Sequence, residues 1–273
     1  MIFNMEFKST FGKMIAWIIV LFILTGLLLA LFPMMIDINL RSMFDSFTTS
    51  LTPSLKNILG FEEKIDYSYI GQYIAFVYQY IAILIVMFAM QIGANSLAKE
   101  QGIGNIEYLY SNPISRSEIV TQKLLSNVLT YIIFLGVLAV ATFGLSVILV
   151  PKDVDFRKQQ LLIDIVKIFV GLLCSGFVFM SIGFFISTLC KSSIYTEVIS
   201  VLFVFATVIF TMAGKVSGGM FKTVVKALSL ETFKPINMLM GNINITGIIV
   251  NVIIFILFIL LTYLVYSKKE LKF

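Results

Sequence analysis

Charged residues stand far apart along this chain, and apolar side chains fill the gaps between them. Six stretches follow from the spacing, at about 14–36, 70–92, 125–150, 163–190, 197–214 and 243–266. A span needs about 20 mainly apolar residues to cross roughly 30 Å of hydrocarbon. The charge-free core of the fourth stretch is 168–190 and that of the fifth is 198–214. The fifth is the shortest, reaching about 25 Å at the helical rise. The pattern predicts an all-α polytopic membrane protein, one transmembrane domain over residues 1–273 with six membrane helices. Lys8 and Lys13 ahead of the first apolar run give it the look of a signal peptide. The run is longer than a usual signal core and no A-x-A-like site follows it, so it reads as an uncleaved first span.

Between the spans, shorter periodicities predict further elements. Phe3, Phe7 and Phe11 recur every four residues among Glu6, Lys8 and Lys13, which suits an N-terminal interfacial helix. Pro53 and Gly60 bracket SLKNIL, one short amphipathic helix in the first long loop. Gly218 and Gly219 precede Phe221, Val224, Val225 and Leu228 at helical spacing, with Lys222 and Lys226 on the other side. That segment reads as a half-embedded helix or pair of helices, the alternative being a solvated turn. The second span has Gln72, Tyr73, Phe76, Gln79 and Tyr80 on a polar-aromatic face. The face is a candidate lining for a translocation path; interfacial tyrosine anchoring and helix packing form the competing reading.

Composition sharpens the class. The chain is 59% hydrophobic and 13% charged, with mean hydropathy +1.00, against about 25% charged residues in soluble domains. A net charge of +5 is ordinary for a membrane protein and gives no case for nucleic-acid binding. Cys174 and Cys190 have no metal-ligand pattern around them and read as small buried side chains. There is no histidine, which removes the commonest general base and metal ligand. Gly12-Lys13 and Gly214-Lys215 lack the rest of a phosphate-binding loop. Gly102-Ile103-Gly104 lacks the third glycine of a dinucleotide site. Ion-coupled carriers usually hold ionisable residues at mid-membrane, whereas Asp164, Lys167 and Glu197 fall at span ends here. The expectation is therefore a non-catalytic chain with no cofactor or metal of its own, driven by another protein if it moves cargo.

The polar segment 96–127 stands out from this background. Gly102 and Gly104 weaken a helix leaving the second span, and Asn105 to Ser111 forms a short helical turn in this reading. Pro113 disfavours helix at Asn112. Ser115 followed by Glu118 matches a capping box that starts a new helix through Lys123 into the third span. The segment resembles the loop between the second and third spans of the ABC type 2 export permeases, on Glu100, Gly104, Asn105, Glu107, Leu109, Pro113, Ser115, Arg116 and Lys123. Asn105 replaces a common threonine, and Tyr108 and Tyr110 replace leucines. The six-span layout extends the resemblance over the whole chain.

The resemblance implies half of a transporter, with a second permease copy (homodimer or heterodimer) and two copies of an ABC ATPase subunit that hold ATP and Mg. The short helix within 96–127 would be the cytoplasmic coupling helix. Glu100, Gly104, Glu107, Tyr108, Tyr110, Pro113, Ser115 and Arg116 would form or aim the ATPase-docking surface. Both termini would then be cytoplasmic, in a plasma membrane. Positive charge does not decide this orientation, because the nine Lys or Arg on the inner segments are fewer than half of the chain's 20. The acidic loop 36–69 and the basic tail favour it. Similar small Phe- and Ile-rich members export peptides from Gram-positive bacteria, so amphipathic, antimicrobial or toxin peptides, or lipophilic drugs, are the expected cargo. An ion-coupled carrier and a non-transporting membrane scaffold or sensor are the alternatives.

Overall fold

In the computed structural model of this chain, the described residues are 2–61, 65–103, 115–151, 157–190, 192–217 and 219–268. Among them every regular element is an α-helix. The long ones are α1 (Ile2–Leu29), α5 (Ile70–Ile103), α6 (Arg116–Leu149), α7 (Lys158–Leu189), α8 (Ser193–Val216) and α12 (Ile245–Lys268). Between them lie α2 (Phe32–Ile36), α3 (Ile38–Ser50), α4 (Pro53–Leu59), α9 (Gly219–Ala227), α10 (Ser229–Thr232) and α11 (Pro235–Met240). Six spans are long and apolar enough to cross a membrane, the first running over Ile2–Ile36 through α1 and α2.

The N-terminal residues differ from the expected separate interfacial helix. They continue unbroken into the first span. Nothing between Phe11 and Met14 stops a helix, since Gly12 weakens one without capping it. At 1.5 Å per residue the 28 residues of α1 reach about 42 Å, longer than the hydrocarbon. The break comes instead at Ala30 and Leu31, ahead of Pro33 in the first turn of α2. In the first long loop, Asp37 caps α3 by accepting from Asn39 N and Leu40 N at 2.9 and 3.0 Å. Thr52 caps α4, and Gly60, at φ 73°, ends it in a left-handed turn that favours glycine.

The core is built around α5 and α7. For each, 72% of its most apolar stretch is inside the protein, against 28% or less for the other four spans. Gly93 and Gly183 explain the close crossing. A Cβ on Gly93 would strike the Met180 carbonyl, and one on Gly183 the Met90 carbonyl. Small residues at such crossings let backbones approach where water supplies no hydrophobic drive. Further along, Leu97 N and Ala98 N of α5 donate to Ser187 Oγ of α7 at 2.7 and 2.9 Å. The remaining spans surround this pair, with α1 against α6, α12 against α7 and α8 against α5. Their exposed Leu, Ile and Val side chains, such as Leu27, Val140, Leu202 and Leu264, suit a lipid solvent.

Toward the end of the chain, α9, α10 and α11 break the connection into short helices before α12. Val225 is buried against Gly214, and the Phe221 ring stands edge-on to Phe210 at 4.7 Å. Val224 is exposed, so the apolar stripe read from the sequence divides between the protein and its surroundings.

Candidate functional site

The two ends of the bundle are chemically distinct. One end gathers the start of α1, the end of α5, the starts of α6 and α8 and the end of α12, and it borders segment 96–127. Of the expected docking residues there, the Glu100 side chain, Gly104, Glu107, Tyr108, Tyr110 and Pro113 lie outside the described residues. Ser115 and Arg116 are described. Ser115 Oγ accepts from Glu118 N at 3.3 Å and caps α6, the local role its spacing predicts. Arg116 Nη1 donates to the Ser267 carbonyl at 3.0 Å, tying the start of α6 to the end of α12. Thr121 and the Tyr263 hydroxyl make a second tie between these helices at 2.7 Å.

Next to this capped start sits a buried ion pair. Lys123 Nζ and Glu6 Oε2 are 3.3 Å apart, with side chains 0% and 5% exposed. Burying two charges is costly unless further hydrogen bonds satisfy them. Lys123 also donates to the Ser96 carbonyl. Asn127 Nδ2 donates to the Ile92 carbonyl at 3.1 Å and to Ser96 Oγ. One turn along α1, Lys99 donates to Ser9 Oγ. A turn further, Lys13 pairs with Glu197 of α8, which also accepts from Asn95 Nδ2 at 2.8 Å. Thr196 donates to Asn95 Oδ1 at 2.9 Å. The first turns of α1 thus hold α5, α6 and α8 together where 96–127 begins and ends.

Glu6 and Lys123 are separated by 117 residues, and their pairing is not readable from the sequence. A signal existed nevertheless. Lys123, Asn127, Thr130, Thr142 and Ser146 recur at helical spacing on one side of α6, and all are buried. Polar residues aligned along an otherwise apolar span mark a face turned toward protein.

The opposite end holds the other expected residues, and the structure does not bring them to one face. Tyr73 is buried against α1 and α2, its hydroxyl donating to the Leu28 carbonyl at 2.7 Å and its ring 5.3 Å from Phe32. Gln72 Oε1 accepts from Asp66 N at 2.7 Å. Phe76 packs among Phe61, Tyr67 and Tyr80, edge-on to both tyrosine rings. Tyr80 donates to the Leu59 carbonyl. Gln79 and Tyr80 line a cleft of about 80 Å³ with Leu172, Val208 and Phe233. Nearby, Asp164 is 2% exposed and accepts from Tyr69 at 2.7 Å and from Gln160 at 3.0 Å. Partial burial, then the hydrogen bond and negative charge of Asp164, push the Tyr69 phenol up to about 12.

The 80 Å³ cleft shares Lys215, Glu231 and Lys234 with a second one of about 190 Å³, also lined by Asn57, Lys222 and Lys226. Lys215 and Glu231 pair at 3.2 Å on the boundary. A family model described as "ABC-2 family transporter protein" matches residues 1–271. No curated protein matches the chain.

Proposed function

Because the chain belongs to the ABC-2 family of transporter membrane proteins, we propose that it is the permease subunit of an ATP-driven exporter, coupled to a separate ATPase through segment 96–127. The observation that supports this most is the convergence of helix ends around that segment. A push on 104–114 would enter the bundle through the end of α5 and the start of α6. The Glu6–Lys123 pair and the Lys13–Glu197–Asn95 cluster would pass it to α1 and α8. Through the glycine crossing, α7 would follow α5. Glu107, Tyr108 and Tyr110 are the proposed contacts to the ATPase, with Gly104, Pro113, Ser115 and Arg116 aiming them and Glu100 at the entry.

In this reading two permease copies face each other and two ATPase subunits hold ATP and Mg. Both termini lie in the cytoplasm of a Gram-positive cell. The cargo is an amphipathic peptide or lipophilic compound, which suits a bundle whose spans hold no charge at mid-length. Gln79 and Tyr80, which line the 80 Å³ cleft, are the proposed cargo-facing members of the second span.

Co-purification with a P-loop ATPase, followed by Glu107→Arg, tests the assignment. The expected outcome is loss of the complex and of cargo-stimulated hydrolysis. An unchanged complex with unchanged stimulation overturns it. Stable ATPase binding without ATP-dependent flux on reconstitution would favour a scaffold. A cysteine in place of Ser111 is expected to be protected from impermeant reagent added outside the cell.

A further inference from the structure

We infer that the lysine-lined cleft at the end opposite 96–127 binds the phosphate group of an anionic membrane lipid. Lys215, Lys222 and Lys226 line it, and Glu231 is the one carboxylate among the described lining residues. Glu231 is already paired with Lys215. Lys222 and Lys226 stand one helical turn apart, where like charges repel, and both are exposed. Lys222 and Lys226 therefore turn their positive charge toward the surroundings.

The surroundings follow from the same short helix. On α9, Met220 is 85% and Val224 49% exposed beside these lysines, and Ile243 and Ile245 are exposed just beyond. An amphipathic helix of this kind rests at the boundary between headgroups and acyl chains, with its lysines at headgroup level. At about 190 Å³ the cleft has ample room for a phosphate. It shares Lys215, Glu231 and Lys234 with the neighbouring, more apolar cleft lined by Ile83, Val208 and Leu230. A basic mouth beside an apolar recess matches a charged head with a hydrocarbon chain better than a free anion. In the proposed topology this end is also the outer one, where lysine is disfavoured by the positive-inside bias. A bound anion offsets that disadvantage.

The test uses the purified full chain without any ATPase, so its outcome is independent of the export reading. Phosphatidylglycerol and phosphatidylcholine are titrated into detergent-solubilised protein and retention is read by native mass spectrometry. Preferential retention of phosphatidylglycerol is expected. Lys222→Gln and Lys226→Gln should each weaken it about fivefold, and together roughly twenty-fivefold, from about 1 kcal/mol per lysine near an anionic surface. Both side chains are exposed, so the variants are expected to fold, and Lys158→Gln at the start of α7 should leave retention unchanged. Equal retention of the two lipids by the unmodified chain overturns the site. An equal loss in Lys158→Gln overturns it too, since the effect is then general charge. Excess inorganic phosphate should not displace the lipid; if it does, the apolar recess contributes nothing and the ligand is a free anion.

Discussion

At the end bordering 96–127, Glu6 and Lys123 meet inside the protein, 3.3 Å apart and almost without exposure. At the other end, Lys222 and Lys226 face outward along a cleft, and Lys215 meets Glu231 with each side chain about one fifth exposed. The contrast concerns how strictly charge dictates geometry. A buried pair tolerates one arrangement, because moving either partner leaves the other uncompensated in a low dielectric. Lysines at a surface cleft keep their hydration and accept whatever anion arrives. The first arrangement suits a joint that transmits force, the second a surface that meets lipid.

The most damaging way to break the comparison is Glu6→Lys. Two ammonium groups would then face each other where no water reaches, at a cost of about 3–5 kcal/mol. Thermal unfolding in detergent should fall by roughly 6–15 °C. The double exchange Glu6→Lys with Lys123→Glu should recover most of that loss. An unaltered Tm in the single variant would mean the pair is not buried. Replacing both partners, Glu6→Leu with Lys123→Met, sharpens the point. Stability should stay within about 1–2 kcal/mol, since apolar substitutes avoid the desolvation cost. ATPase stimulation should fall in the same variant if the pair sets geometry.

Asp164 is the opposite end's own buried carboxylate, and Asp164→Ala should cost about 1.5–3 kcal/mol through its lost hydrogen bonds. Its partner Tyr69 gives a weaker, pH-dependent effect. A phenol whose folded pKa is raised to about 12 binds its proton more tightly when folded. Its contribution is complete below pH 10 and is lost as pH rises toward 12. Tyr69 is 36% exposed, so the loss is no more than about 1 kcal/mol after screening. Tyr69→Phe should remove that part of the alkaline decline in Tm. The smallest change is Lys13→Ala. This pair is half exposed, so the loss is about 0.2–1 kcal/mol and should vanish in 1 M salt. A large, salt-insensitive loss would place it with the buried pair.

Much of the architecture is legible in the sequence. The spans follow from gaps between charges. The capped start of α6 follows from Ser115 and Glu118, and the short α4 from Pro53 and Gly60, because each depends on residues within one or two turns. The continuity of α1 was harder to read. A phenylalanine stripe with mixed charges looks the same whether the helix lies along a membrane or continues into it. The surroundings of the second span's polar-aromatic positions were hidden for a related reason. Helical spacing places Gln72, Tyr73, Phe76, Gln79 and Tyr80 on neighbouring positions, but the loop residues Phe61, Tyr67 and Asp66 and the α1–α2 junction cover most of them.

By itself the sequence determined six apolar crossings, their broken connections and the lack of a phosphate-binding loop. All of these are local properties of composition and spacing. The tertiary structure alone decided that α5 and α7 form the centre and that the first turns of α1 clamp the end beside 96–127. Hydropathy cannot separate those cases, because lipid tails and a protein interior are equally apolar to a leucine. Only contact between distant residues, Gly93 on Met180 and Glu6 on Lys123, shows which helices face one another.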